Sequence, residues 1–181
     1  MSRPTRNRLL VAVFVVVAFA AAPRLPNLLL WSVTTVATPL VIAALWVSAP
    51  FLRARGFLQK QKYEEAATEL AAFESSLSAG WKRALASLVV GLYTSNPVAA
   101  ARNTLGAVRL EQGRLDDAQT HFKAALERDA LYAVPWGNLA VLAAMRGDAA
   151  GAEEARLKAA SLGFKPKVLS SVIKDKLAAV K

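Results

Sequence analysis

The chain has 181 residues, a formal net charge of +10 and a composition that is 55% hydrophobic. It has no cysteine and a single histidine, His121. Disulfides, thiolate nucleophiles and Cys-type zinc sites are therefore excluded, and the usual residue of general acid/base and His-pair metal sites is nearly absent. The basic surplus is uneven. Residues 1–62 contain no Asp or Glu, so all 13 acids lie from Glu64 onward. From Arg53 onward the balance is mildly basic, about half of the surplus sits in the last predicted helix, and no stripe of basic and aromatic residues accompanies it. Nucleic-acid binding is not expected.

The acid-free N-terminal third holds two apolar runs. Leu9–Ala22 follows Arg3, Arg6 and Arg8 and is about 21 Å long as a helix, short for a membrane span. It reads either as the first arm of a transmembrane hairpin or as a secretory signal with small-residue cleavage sites near Ala20 and Ala22. After the Pro23–Asn27 break, the second run, Leu28–Leu52, carries no charge and is long enough to cross about 30 Å of hydrocarbon. Trp31 and Trp46 stand near its ends, where interfacial aromatics are favoured, and Pro39 predicts a kink. The basic groups Arg53, Arg55, Lys60 and Lys62 follow it directly. By the positive-inside rule a hairpin with spans at about 9–22 and 28–50 places both basic clusters, and the C-terminal domain, in the cytoplasm. A cleaved signal leads to the same orientation. Residues 1–52 are thus expected to anchor the chain in a prokaryotic inner (cytoplasmic) membrane.

Residues 53–98 predict connecting helices. Glu64, Glu65 and Glu69 suit a helix N-terminus, and Tyr63, Ala66, Leu70, Phe73 and Leu77 fall on one face. A second helix is expected over Trp81–Thr94 with Leu85, Leu88, Val89, Leu92 and Tyr93 as its apolar side. It reads as buried between neighbours or, with Lys82 and Arg83 at head-group level, as lying on a membrane surface. Asn96-Pro97 is a start signal, an N-cap followed by proline at the first helical position. Helices are then expected from Pro97 to Gln112, Leu115 to Arg128, Pro135 to Gly147 and Ala149 to Leu162.

This last block says the same thing twice. Leu105, Gly106, Gly113, Ala118 and Ala125 recur 34 residues on as Leu139, Ala140, Gly147, Ala152 and Ala159. A fixed period of that length with small residues at set offsets means stacked helical hairpins. The small side chains let paired helices approach, with Ala118 and Ala152 expected to face Gly106 and Ala140, and Phe122 to fill the space between units. Together with Trp136, these positions resemble the tetratricopeptide repeat over residues 99–162. The string Lys62-Tyr63-Glu64-Glu65-Ala66 is similar to the wording that opens a second repeat helix. The sequence departs from the pattern where Arg102 stands for Trp, Arg109 for Tyr, Ala130 for Pro and Arg156 for the large aromatic of the second helix.

With the apolar runs, the resemblance leads to an all-α expectation: an N-terminal transmembrane hairpin read from those runs, then the short right-handed α-solenoid the resemblance implies, then a C-terminal capping helix within residues 163–181. In that last helix Val168, Leu169, Val172, Ile173, Leu177 and Val180 share one side; its alternative is a basic amphipathic tail on an anionic membrane. The resemblance further implies a groove for a protein partner, lined by Asn103, Ala107, Leu110, Glu111, Val134, Asn138, Val141 and Met145. The family's set of Lys, Asn and Arg for clamping two carboxylates is incomplete, so an apolar helix or strand is the expected occupant. No phosphate loop or nucleophile elbow occurs. Asp116-Asp117 and Glu153-Glu154 begin helices and point apart, so neither pair shares a site. The expectation is a scaffold without catalysis or cofactor, docked to protein and lipid bilayer, or a structural subunit of a larger membrane complex.

Overall fold

The computed structural model describes residues 27–90 and 94–165, with side chains from Thr35 onward. Among the described residues there are seven helices and no strand: α1 Asn27–Gln59, α2 Tyr63–Ser76, α3 Gly80–Val90, α4 Pro97–Glu111, α5 Leu115–Arg128, α6 Ala133–Met145 and α7 Ala149–Ser161. The expected first apolar run, with its span-or-signal alternatives, and the expected terminal helix over Val168–Val180 lie outside the described residues.

Helix α1 is continuous through Pro39 and Pro50. It does not break at the 52/53 boundary that composition suggests. Its first half and its last third do different things. Val36, Leu40, Val41, Ile42, Leu45 and Trp46 are exposed, whereas Ala44, Val47, Ser48, Phe51 and Ala54 are buried. The buried residues recur at three- and four-residue steps, one helical face, and that face meets α2 and α3. One part of the charge-free run is therefore domain core. The Phe51 and Phe73 rings lie 5.3 Å apart and tilted by 40°, an arrangement aromatic quadrupoles favour.

Helix α2 buries the predicted stripe of Ala66, Leu70 and Phe73, with Leu77 following, and Tyr63 packs at its edge. Helix α3 departs from expectation. Described from Gly80 to Val90, it buries Ala86 and Val90 and packs Leu85 against the same core, while Leu88 faces outward; the expected Leu92 and Tyr93 lie outside the described residues.

Three hairpins then follow from one turn. After α4, Gly113 has φ +73°, and the Arg114 N–H donates to the Arg109 carbonyl at 2.9 Å. After α6, Gly147 has φ +76°, and Asp148 N–H donates to Ala143 at 2.9 Å. This is the left-handed helix cap that closes with a bond to the carbonyl five residues back, and it reverses the chain while satisfying the last carbonyls. The α1–α2 turn is built the same way: Lys62 N–H donates to Phe57 at 2.9 Å, but the left-handed position, φ +59°, holds Gln61. Gly113 and Gly147 are 34 residues apart, whereas 52 separate Gln61 from Gly113, because α3 and its flanks are inserted between the first hairpin and the second.

Packing within the hairpins uses the small residues. A Cβ added to Gly106 would stand 2.6 Å from the Phe122 ring and 3.2 Å from the Ala118 carbonyl oxygen. Phe122 thus fills the space left by its own hairpin partner, and it also joins the α5–α6 core with Ala118 and Leu142. In the last hairpin Ala140 is buried as expected. Ala155 and Ala159 supply the opposing surface there, and Ala152 is only half-buried. Ala125 is fully buried, Leu105 packs at the edge of the first core, and Trp136 and Leu139 pack at the edge of the second. Helix α4 lies in both cores, Val108 in one and Leu110 in the other, so it ties the N-terminal hairpin to the C-terminal one.

Arg102, Arg109 and Arg156 keep their charged heads out of the core. Arg102 binds Glu74 on α2 through Nε at 3.0 Å and Nη2 at 2.9 Å. Arg109 donates to Gln112 at 2.7 Å, and Gln112 donates to Glu64 at 2.8 Å. Long stems lie along the α2–α4 seam and end in ion pairs. Arg156 instead pairs along its own helix with Glu153 at 2.6 and 2.7 Å.

Candidate docking cleft

The first helices of the three hairpins line one side of the molecule and leave a cleft of about 360 Å³. Phe51, Leu52 and Arg55 come from α1, Val89 and Val90 from α3, and Ala100, Asn103 and Thr104 from α4. Tyr132 and Val134 come from the start of α6, and Phe164 from the segment after α7. The walls are chiefly hydrocarbon. Thr104 spends its hydroxyl on the Ala100 carbonyl at 2.9 Å, which leaves its methyl for contact. Asn103 is buried, and its Oδ1 accepts from Asn138 Nδ2 at 2.9 Å, so one amide is held rigid by the next helix. Arg55 is exposed and supplies the cleft's positive group.

The loops that space α4 from α6 are stitched across the hairpins. Thr94 donates to the Asp129 carboxylate at 2.5 Å and accepts from the Asn96 N–H at 3.1 Å. Asn96 Nδ2 donates to the Arg128 carbonyl at 3.0 Å, while its Oδ1 caps α4 through the N–H groups of Val98 and Ala99. The N-cap expected at Asn96 therefore also fixes where Tyr132 and Val134 sit relative to Asn103. On the outer side, Arg146 pairs with Asp116 and donates to Gln119 at 2.8 Å, locking α6 to α5.

Of the eight groove residues expected from sequence, Asn103 and Val134 line this cleft. Asn138 is its hydrogen-bonded support, Ala107 is half-buried on α4, Glu111 is exposed at the end of α4, and Met145 packs against the second core. Leu110 and Val141 correct the expectation: they do not line this cleft but belong to the second core, with Ala118, Phe122 and Ala155. Sequence reasoning missed Phe51 and Leu52, which read as membrane residues, and Phe164, which fell in the expected capping segment. No sequence signal marked Tyr132.

No constellation of three His, Cys, Asp or Glu side chains converges among the described residues. Asp116 and Asp117 engage different arginines, Arg146 and Arg114. His121 is half-buried on α5; burial pushes its pKa below the ordinary histidine value, and the Arg109 charge pushes the same way. Two enclosed polar atoms, Ser48 Oγ and Trp136 Nε1, have no hydrogen-bond partner among the described residues.

The described residues contain one helix long and apolar enough to cross a membrane, near the N-terminus, with a candidate span within Thr35–Gln59. Comparison with protein-family models and with curated proteins finds no match for this chain.

Proposed function

We propose that this chain is a membrane-anchored adaptor of the tetratricopeptide type, holding a protein partner at the cytoplasmic face of a prokaryotic inner membrane. The observation that carries the reading is the cleft formed by three successive hairpins that share one turn geometry, with the first of them continuous with the apolar helix. Residues 99–162 are two repeats of a right-handed solenoid. The C-terminal third of α1 with α2 is a third, divergent one, separated from them by α3. The N-terminal run over 9–22 completes a transmembrane hairpin, and residues 163–181 cap the last repeat.

Where the domain begins sets where the bilayer ends. Domain packing starts at Ala44 and Val47, so the lipid-facing part of α1 is Asn27 to about Trp46, roughly 20 residues and ~30 Å, one hydrocarbon thickness. Arg53, Arg55, Lys60 and Lys62 then lie on the domain side, the arrangement the positive-inside rule associates with the cytoplasm. The cleft's apolar walls and its single lining cation, Arg55, suit an apolar helix or extended segment that carries an acidic group near the rim.

A photo-crosslinking residue at Thr104 should capture a discrete partner in cells, whereas the same residue at Leu157, exposed on α7, should not. Equal capture at both positions would sink the groove reading. The second reading, a structural subunit buried in a larger membrane complex, is favoured by the exposed Leu131 and Leu157 outside the cleft. It predicts salt-resistant, stoichiometric subunits after mild detergent extraction, and crosslinks from both faces. A C-terminal reporter active only outside the cytoplasm should stay silent; activity there would reverse the topology.

A further inference from the structure

A second cleft, of about 250 Å³, opens where α1 emerges from its exposed apolar half, and its lining includes Trp46, Pro50 and Arg53 from α1 and Lys82 from α3. Resting on the membrane placement above, we infer that this cleft binds the head group of an anionic phospholipid, with Lys82 on the phosphodiester and the Trp46 and Trp81 indoles at glycerol level.

Four observations meet there. Trp46 and Trp81 are 68% and 57% exposed, unusual for the largest side chain of a folded protein and typical of the membrane–water boundary. The Lys82 ammonium lies 5.5 Å from the Trp81 ring centroid, so cation and indole form one unit. Arg53 is already neutralised by Glu69, which it grips at 2.9 and 2.8 Å; Lys82 is therefore the cleft's uncompensated charge, and no acid lines the cleft. Pro50, inside the helix and lining the cleft, carries no N–H and so cannot give the Trp46 carbonyl its usual helical bond, which favours that carbonyl as the acceptor for a head-group hydroxyl.

The inserted helix α3 acquires a role on this reading. Its inner face, Ala86 and Val90, holds the domain core; its outer face exposes Trp81, Ala84 and Leu88, spaced three and four residues apart on one stripe. A helix with core on one side and an indole-leucine stripe flanked by Lys82 and Arg83 on the other matches an interfacial helix lying in the head-group plane. The insertion that breaks the 34-residue register would then fix the tilt of the cleft-bearing domain on the bilayer.

The test uses the full chain in lipid nanodiscs of phosphatidylcholine, with and without phosphatidylglycerol, counting retained lipids by native mass spectrometry after transfer to detergent. Phosphatidylglycerol should be retained with about fivefold preference, the factor that one cation near an anionic surface supplies. Lys82→Gln should abolish the preference, while Lys123→Gln on α5 should leave it intact. Trp46→Phe should weaken retention without changing the charge dependence. Equal retention of both lipids, or an equal loss with either lysine variant, would overturn the inference, as would stripping of the lipid by inorganic phosphate, which would mark a free-anion site. If the chain instead remains in the soluble fraction of cells, the membrane reading itself fails, an outcome distinct from the absence of lipid preference.

Discussion

Gly106 is where helix α4 touches helix α5, and its replacement by alanine tests the hairpin geometry directly. In an unconstrained helix interior, Gly→Ala stabilises by about 0.5–1 kcal/mol, because glycine loses more backbone freedom on folding. Here the new Cβ would meet two atoms of the Phe122 ring at 2.6 Å, and that ring has no exposed surface through which to swing away. Overpacking of this kind costs about 1–3 kcal/mol. Repulsion wins, and the net expectation is a loss of about 1–2 kcal/mol. Thermal unfolding of the detergent-solubilised chain, followed by far-UV circular dichroism, should move its midpoint down by roughly 2–8 °C for a chain of this size. Phe122→Ala removes the clashing atoms, so Gly106→Ala should cost much less in that background, giving a favourable coupling of about 1 kcal/mol in the double-mutant cycle. If Gly106→Ala raises the midpoint in the wild-type background, as helix propensity alone predicts, the close approach of α4 to α5 is refuted.

Two further perturbations read other parts of the structure. Gln61 occupies the left-handed position that glycine holds in the other two turns, so Gln61→Gly should stabilise by about 1 kcal/mol in the same unfolding assay; a destabilised variant would refute the shared turn. His121 has a lowered pKa in the folded chain, so the unfolded chain binds its proton more readily, and folding stability should fall as pH drops through about 6.5 toward the lower folded value. His121→Gln should flatten that limb of the stability–pH curve, and an unchanged slope would show that other groups set it.

Much of the helical plan was legible along the chain because its signals are local. Asn96-Pro97 marks the start of α4, since an Asx side chain and a proline satisfy helix-end constraints within three residues. Gly113 and Gly147 mark the turns, since a left-handed cap needs no distant contact. The apolar spacing in 63–77 identified the buried face of α2 for the same reason. The cleft was less legible. Leu110 and Val141 occupy positions that line a groove in the repeat pattern, yet α7 and α5 close over them, and that closure depends on helix positions far apart in sequence.

The sequence by itself determined that the chain is helical, that one run is long and apolar enough to span a bilayer, and that hairpins recur at a 34-residue period. Those properties follow from periodicity, end signals and hydrocarbon length. Only the tertiary structure decided where the apolar run divides. Hydrophobicity cannot tell a side chain dissolved in lipid from one packed against protein, and Phe51 and Ile42 look alike to any transfer scale. The packing of Phe51 on Phe73, with Ile42 left bare, separates the exposed apolar part from the domain core within one unbroken helix. It also places two tryptophans and one unpaired lysine at the seam between them.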